Sequence, residues 1–174
     1  MRRVADEIAN WLVERRIFTA FGIVGGGNVV LFDAIKALGK TKIVACHHEQ
    51  AAAMASTYFN RVRGGLDSVV LVTTGAGSTN AITGVMAAYM DGCPLLVISG
   101  NEASKYMGGK TRVLGTQGYK SSDMAGYCAK FCQRIMYPEL CVGILDKAHS
   151  AAVTPPQGPV WCDLPKDTAN ALVN

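Results

Sequence analysis

The chain has 174 residues, enough for one domain with a full core. Hydrophobic residues make up 49% and charged residues 17%, which excludes a disordered chain. The net charge of +4 comes from scattered Lys and Arg, with no basic block or basic–aromatic stripe, so no nucleic-acid partner is expected.

In chain order, Val4, Ile8, Trp11 and Leu12 recur at helical spacing and predict an amphipathic N-terminal helix. "TAFGIVGGG" reads as a short apolar strand running into a glycine turn. Residues 29–38 (VVLFDAIKAL) read as a helix closed by Gly39. "KIVAC" is a second strand. Residues 50–62, rich in Ala and Met, form a tightly packed helix stopped by Gly64 and Gly65. "SVVLVTT" is a continuous apolar strand, the pattern of a strand covered on both faces. "GAGSTN" opens another helix over residues 81–90, and "PLLVISG" is the next strand.

Residues 101–127 are polar and poorly periodic, and read as a long loop with a short helix, a feature that is usually functional. "KFCQRIM" is a short strand. A helix over residues 140–153 ends at Pro155-Pro156, and "GPVWCDLP" is the last strand. Strand, crossover helix and strand in alternation imply an α/β fold. We expect three layers, α/β/α, around a mostly parallel sheet of about six strands. The domain is expected to span residues 1–167, with 168–174 starting a linker.

No apolar run approaches the ~18 residues of a spanning helix, so no membrane partner is expected. The start, "MRRVADEIANWLVERR", is charged throughout and unlike a signal peptide. Six cysteines, at 46, 93, 128, 132, 141 and 162, include no C-x-x-C pair. They read as buried, reduced thiols of a cytoplasmic protein, with no metal site among them.

In open parallel sheets, ligands bind outside the carboxyl ends of the strands. Four segments fall there: Gly25-Gly26-Gly27-Asn28, residues 47–50, residues 73–80, and Gly100 onward. Neither glycine cluster is a G-x-G-x-x-G or a P-loop, so a nucleotide site has little support. Each cluster alone reads as a tight turn. Glu49, alone, reads as a first-turn acid favoured by the helix dipole, or as a functional carboxylate. His47 and His48 read as surface or core-edge residues.

In combination, these segments say more. "FGIVGGGNVVLFDAI", "HEQAAAMAS", "VVLVTTGAGSTNAITGVMAAYMDGCPLLVISGN" and "GPVWCDLPKD" follow one another at the spacing of thiamine diphosphate enzymes. The chain resembles their N-terminal, pyrimidine-binding domain, in the acetolactate synthase-like group. The resemblance implies that Glu49 hydrogen-bonds N1′ of the cofactor's aminopyrimidine. It implies that Gly25 and Gly26 form the turn that meets the ring. Thr73 and Asn80 match polar positions near the ring and the reaction centre, and Gln117 a glutamine facing the active site.

The chemistry suits these residue types. The cofactor reacts after losing a proton from C2 of its thiazolium. A carboxylic acid against N1′ favours the imino form of the ring, whose nitrogen takes that proton. Apolar walls, here the Ala and Met residues after Glu49, strengthen such a hydrogen bond.

The family's G-D-G motif, which holds the diphosphate and Mg²⁺ from a second domain, does not occur; "MDG" at 90–92 has the wrong context. The resemblance therefore implies a half-site. The chain is expected to be an excised domain of a longer enzyme or a subunit of a split one, and inactive alone. A homodimer is implied, with the diphosphate-binding domain supplied by a partner subunit and a small 2-ketoacid as substrate. Gly118 after Gln117, and "GGGN" where Pro-Gly-Gly is usual, leave the particular ketoacid open. Two other readings stay open at this point: a non-catalytic dimerisation or regulatory module, and a flavodoxin-like or nucleotide-binding domain.

Overall fold

A computed structural model describes residues 1–107 and 111–173. In chain order the elements are β1 (Arg2–Arg3), α1 (Val4–Glu14), β2 (Thr19–Gly22), α2 (Val29–Leu38), β3 (Lys42–Ala45), α3 (Glu49–Arg63), β4 (Ser68–Val72), α4 (Ala76–Thr79), α5 (Ile82–Met90) and β5 (Leu95–Asn101). They continue with α6 (Ser121–Ala125), β6 (Phe131–Arg134), α7 (Cys141–Val153), β7 (Pro159–Pro165), α8 (Lys166–Asn170) and β8 (Leu172–Val173).

Six strands form one sheet in the order β3-β2-β4-β5-β7-β6, and every pairing in it is parallel. Helices cover both faces, so the fold is the expected three-layer α/β/α. The period-2 pleat sends alternate side chains to opposite faces. Val69, Leu71, Leu96 and Ile98 meet α1, α2 and α7 on one face. Val70, Val72, Leu95 and Val97 meet α3 and α5 on the other. Strands β4, β5 and β7 are buried along their whole length, as the unbroken apolar runs imply.

The chain leaves β2 toward β3 and leaves β4 toward β5, in opposite directions across the sheet. Such a switch point opens a crevice between the two strand ends. Gly39 and Gly64 close α2 and α3 in the left-handed conformation, with φ of 66° and 75°.

The structure adds detail to the sequence reading in three segments. The helix expected over residues 81–90 is present as α5, and a separate short helix, α4, precedes it within "GAGSTN". Ser78 Oγ donates to Gly75 O at 2.7 Å and Thr79 Oγ1 to Ala76 O at 3.4 Å, hydroxyl bonds that bend helices. The expected long loop contains a 3₁₀ turn (Ser104–Tyr106) and α6; its residues 108–110 lie outside the described residues. The tail read as the start of a linker is folded onto the domain through Val173. Within α8 Thr168 and Ala169 are buried, and β8 pairs antiparallel with β1. Asn174 lies outside the described residues.

Candidate functional site

The switch-point crevice gathers residues from all four predicted segments. Glu49 opens α3, directly beyond the end of β3. It does not cap that helix. His48 does, with its Nδ1 accepting from the Gln50 backbone N–H at 3.2 Å. The Glu49 side chain is thereby free to turn inward, where it is only 8% exposed. Asn80 Nδ2 donates to its Oε2 at 3.0 Å. No other hydrogen bond to this carboxylate is made among the described residues.

Glycines let the neighbouring backbone close in. A Cβ on Gly77 would meet Thr73 Cγ2 at 2.6 Å and Glu49 Oε1 at 3.4 Å. A Cβ on Gly25 would meet Thr73 Oγ1 at 2.6 Å. Thr73 Oγ1 also accepts from the Gly27 backbone N–H at 3.1 Å, tying the turn after β2 to the end of β4. The backbone of Gly100 packs directly on that of Gly27. Gly26, by contrast, faces open space, with nothing within 4 Å of a Cβ built on it.

Glu49, Asn80, Thr73 and Gly25 thus share one crevice, with Gly26 at its open rim. Gln117 stands further out. It is exposed, and its Nε2 donates to Thr74 Oγ1 at 3.3 Å. The sequence reading missed Asn28, 3% exposed, which holds the glycine turn: Oδ1 accepts from the Gly25 N–H at 2.7 Å and Nδ2 donates to Ile23 O at 3.0 Å. Its signal was available, because Asn after glycines is a turn former. It also missed His48, since histidine is not among the usual caps.

The crevice offers a nearly buried carboxylate with one oxygen engaged by Asn80 and the other beside the Gly77 backbone, where a Cβ would lie 3.4 Å away. A carboxylate with one oxygen left unbonded can share a proton with the ring nitrogen of a flat heterocycle. The pyrimidine of thiamine diphosphate meets this description. For a diphosphate–metal group the fit is absent: among the described residues, no three His, Cys, Asp or Glu side chains cluster to hold a cation. Burial pushes the Cys132 and Cys141 thiols up to about 12, so neither offers a thiolate nucleophile near neutral pH.

Residues 2–125 match the family described as "Thiamine pyrophosphate enzyme, N-terminal TPP binding domain", the pyrophosphate being the same molecule as the diphosphate. The chain belongs to this family.

The TPP-binding domain is similar to acetolactate synthase large subunits. It is 36% identical over 169 residues to isozyme 3 of Escherichia coli (strain K12), covering 95% of this chain and 28% of that protein. It is 34% identical over 169 residues to the large subunit of Haemophilus influenzae, covering 95% and 28%. It is 34% identical over 165 residues to the mitochondrial acetolactate synthase of Schizosaccharomyces pombe, covering 92% and 24%. The chain therefore spans 24% to 28% of the length of these relatives. The resemblance seen in the sequence motifs is borne out at the level of family and fold. No helix among the described residues is long and apolar enough to cross a membrane.

Proposed function

We propose that this domain holds the aminopyrimidine end of thiamine diphosphate in an acetolactate synthase-like 2-ketoacid lyase or transferase. The observation that carries the reading is the Glu49 carboxylate: turned away from its helix end, 8% exposed, and engaged by Asn80 on one oxygen only. When bound, the cofactor supplies a nucleophilic carbon at C2 of its thiazolium.

The chain's own residues do the following. Glu49 shares or donates a proton at N1′ of the ring, which makes the ring's exocyclic nitrogen basic. From the first turn of α3 the Glu49 carboxyl would hold this atom, and glutamine could not transfer the proton. Asn80 fixes the rotamer of Glu49 through the bond to Oε2. Gly25 and Gly26 present backbone to the ring, and Thr73 holds their turn in place through Gly27. Gln117, in the loop after β5, bonds to Thr74 at the edge of the crevice, a place consistent with contact to substrate rather than to the ring. Ala52 and Ala53, fully buried one turn further along α3, lower the local dielectric and so strengthen the proton-sharing bond.

Mg²⁺ and the diphosphate fall, in this reading, to a second domain contributed by a partner subunit of a homodimer, and the substrate is a small 2-ketoacid. Six free cysteines support a reducing, cytoplasmic setting.

The test adds thiamine diphosphate, Mg²⁺ and the diphosphate-binding partner, and follows pyruvate consumption. Glu49→Gln is expected to lower turnover by roughly 10²–10⁴-fold with little change in fold stability, the range for a lost general acid–base group. Full activity in that variant, or activity without the cofactor, would sink the assignment.

A further inference from the structure

Two buried carboxylates outside the crevice, Glu102 and Asp163, take no part in the chemistry above. Both lie under the same segment, residues 113–122. Asp163, in β7, is 0% exposed. Its Oδ1 accepts from Ser121 Oγ at 3.0 Å and Trp161 Nε1 at 2.9 Å. Its Oδ2 accepts from the Ser122 N–H at 3.3 Å and Asn101 Nδ2 at 3.4 Å, and lies 3.7 Å from Arg134 Nε. The same Asn101 amide donates to Tyr119 O at 3.0 Å. The end of the segment from Tyr119 to Ser122 is therefore fastened to one fully buried anion.

Glu102, 6% exposed, underlies the other end by packing. Residues 114 and 118 form a tight turn, with N–H to O bonds of 3.0 and 2.8 Å in the two directions, and Gly115 at a φ of 63°. That turn closes around the Glu102 side chain. A Cβ on Gly118 would meet Glu102 Cγ at 2.7 Å, and one on Gly115 would meet its Oε2 at 3.1 Å. Lys166 Nζ, at the start of α8, donates to the same Oε2 at 2.6 Å. This pairing holds the Lys166 ammonium above the ordinary lysine range.

Between the two anchors lies Gln117, bonded to Thr74 next to the crevice. The segment also forms the outer wall of a groove of about 540 Å³, facing Gly75, Ala76 and Thr79. Helix α4 separates this groove from Glu49. Its Gly77 abuts Glu49, while its Ala76 and Thr79 line the groove. The segment has little regular structure of its own, so its stance is set by what it is tied to.

We infer that Glu102 and Asp163 are positioning residues: two separate buried anchors that hold residues 113–122, and with them Gln117 and the groove wall, against the crevice. This rests on the proposed cofactor site only for its catalytic consequence.

The experiment is amide hydrogen exchange on the 174-residue chain, comparing Asp163→Asn and Glu102→Gln with the parent. Asp163→Asn is expected to speed exchange at 119–122 on the order of tenfold and Glu102→Gln to do so at 114–118, each leaving the α2 amides unchanged. Acceleration across the whole sheet, or none in the segment, overturns the inference. Should Asp163→Asn not fold, Ser121→Ala removes one tie to the same carboxylate, and unchanged exchange at 119–122 in that variant also overturns it. With the partner domain present, Asp163→Asn and Glu102→Gln should raise KM more than they lower kcat. If Glu49→Gln leaves activity intact while the exchange pattern appears, the cofactor reading falls and the anchors stand.

Discussion

On one face of the sheet Ile8, Trp11, Leu12, Leu31 and Ile35 pack against Leu71, Ile98 and Val160. On the other, Ala52, Ala53, Ala81 and Ala88 pack against Val70, Val72 and Val97. The first face buries large side chains, which carry most of the hydrophobic stabilisation. The second buries mostly small ones, which contribute less but let helices approach closely. Gly84 of α5 sits so near α3 that a Cβ there would lie 2.5 Å from Ala53 Cβ. That approach brings Asn80, just before α5, to Glu49 at the start of α3. One face stabilises the sheet, and the other sets the geometry of the crevice.

The largest effect that can break this contrast is on the thick face. Leu12→Ala, at a fully buried position, should cost about 2–5 kcal/mol in urea unfolding. The crevice should be untouched at equal folded fraction; a cofactor-dependent activity that fell along with stability would show the two faces to be coupled. Next, Gly84→Val should cost about 1–3 kcal/mol by overpacking α3 against α5. Here, activity should fall in the folded fraction too, because α3 carries Glu49 and its bond partner Asn80 stands just before α5. Preserved activity would refute the role given to the thin face.

The smallest effect concerns pH. His149, in α7 on the thick face, packs edge-on to Trp11 at a ring distance of 6.1 Å. Burial chiefly, then the Arg15 charge, hold its imidazole below the ordinary histidine value, with Asp146 opposing. The unfolded chain then binds more protons than the folded one just below about pH 6.5, so stability rises with pH there and is lost on acidification. Unfolding free energies measured between pH 7.5 and 5 should show this decline, and His149→Gln should flatten it. A slope unchanged by the substitution would assign the decline to other groups.

Much of the fold was legible because the strongest signals are local. The runs "SVVLV" and "LLVISGN" are buried at every position, and Gly39 and Gly64 stop their helices as read. The gathering of Glu49, Thr73 and Asn80 followed from placing each motif at a strand's carboxyl end. What escaped depended on partners distant in sequence. Residues 172–173 form a strand only because Arg2 and Arg3 lie beside them. Asp163 sits in the apolar run "VWCDLP", with nothing nearby in sequence to announce Ser121, Ser122 or Asn101 as its donors. Gln117 was placed on the family's pattern alone, and its bond to Thr74 depends on a loop whose path the sequence does not encode by periodicity.

The β1–β8 ribbon has a mechanical meaning. Arg2 faces Val173 and Arg3 faces Leu172, so the outermost pair is also the one nearest both ends of the described chain. Tension applied across those ends would peel the ribbon one residue pair at a time, starting from the outside. The six parallel strands, whose ladders resist sliding, would carry no load until both pairs had parted.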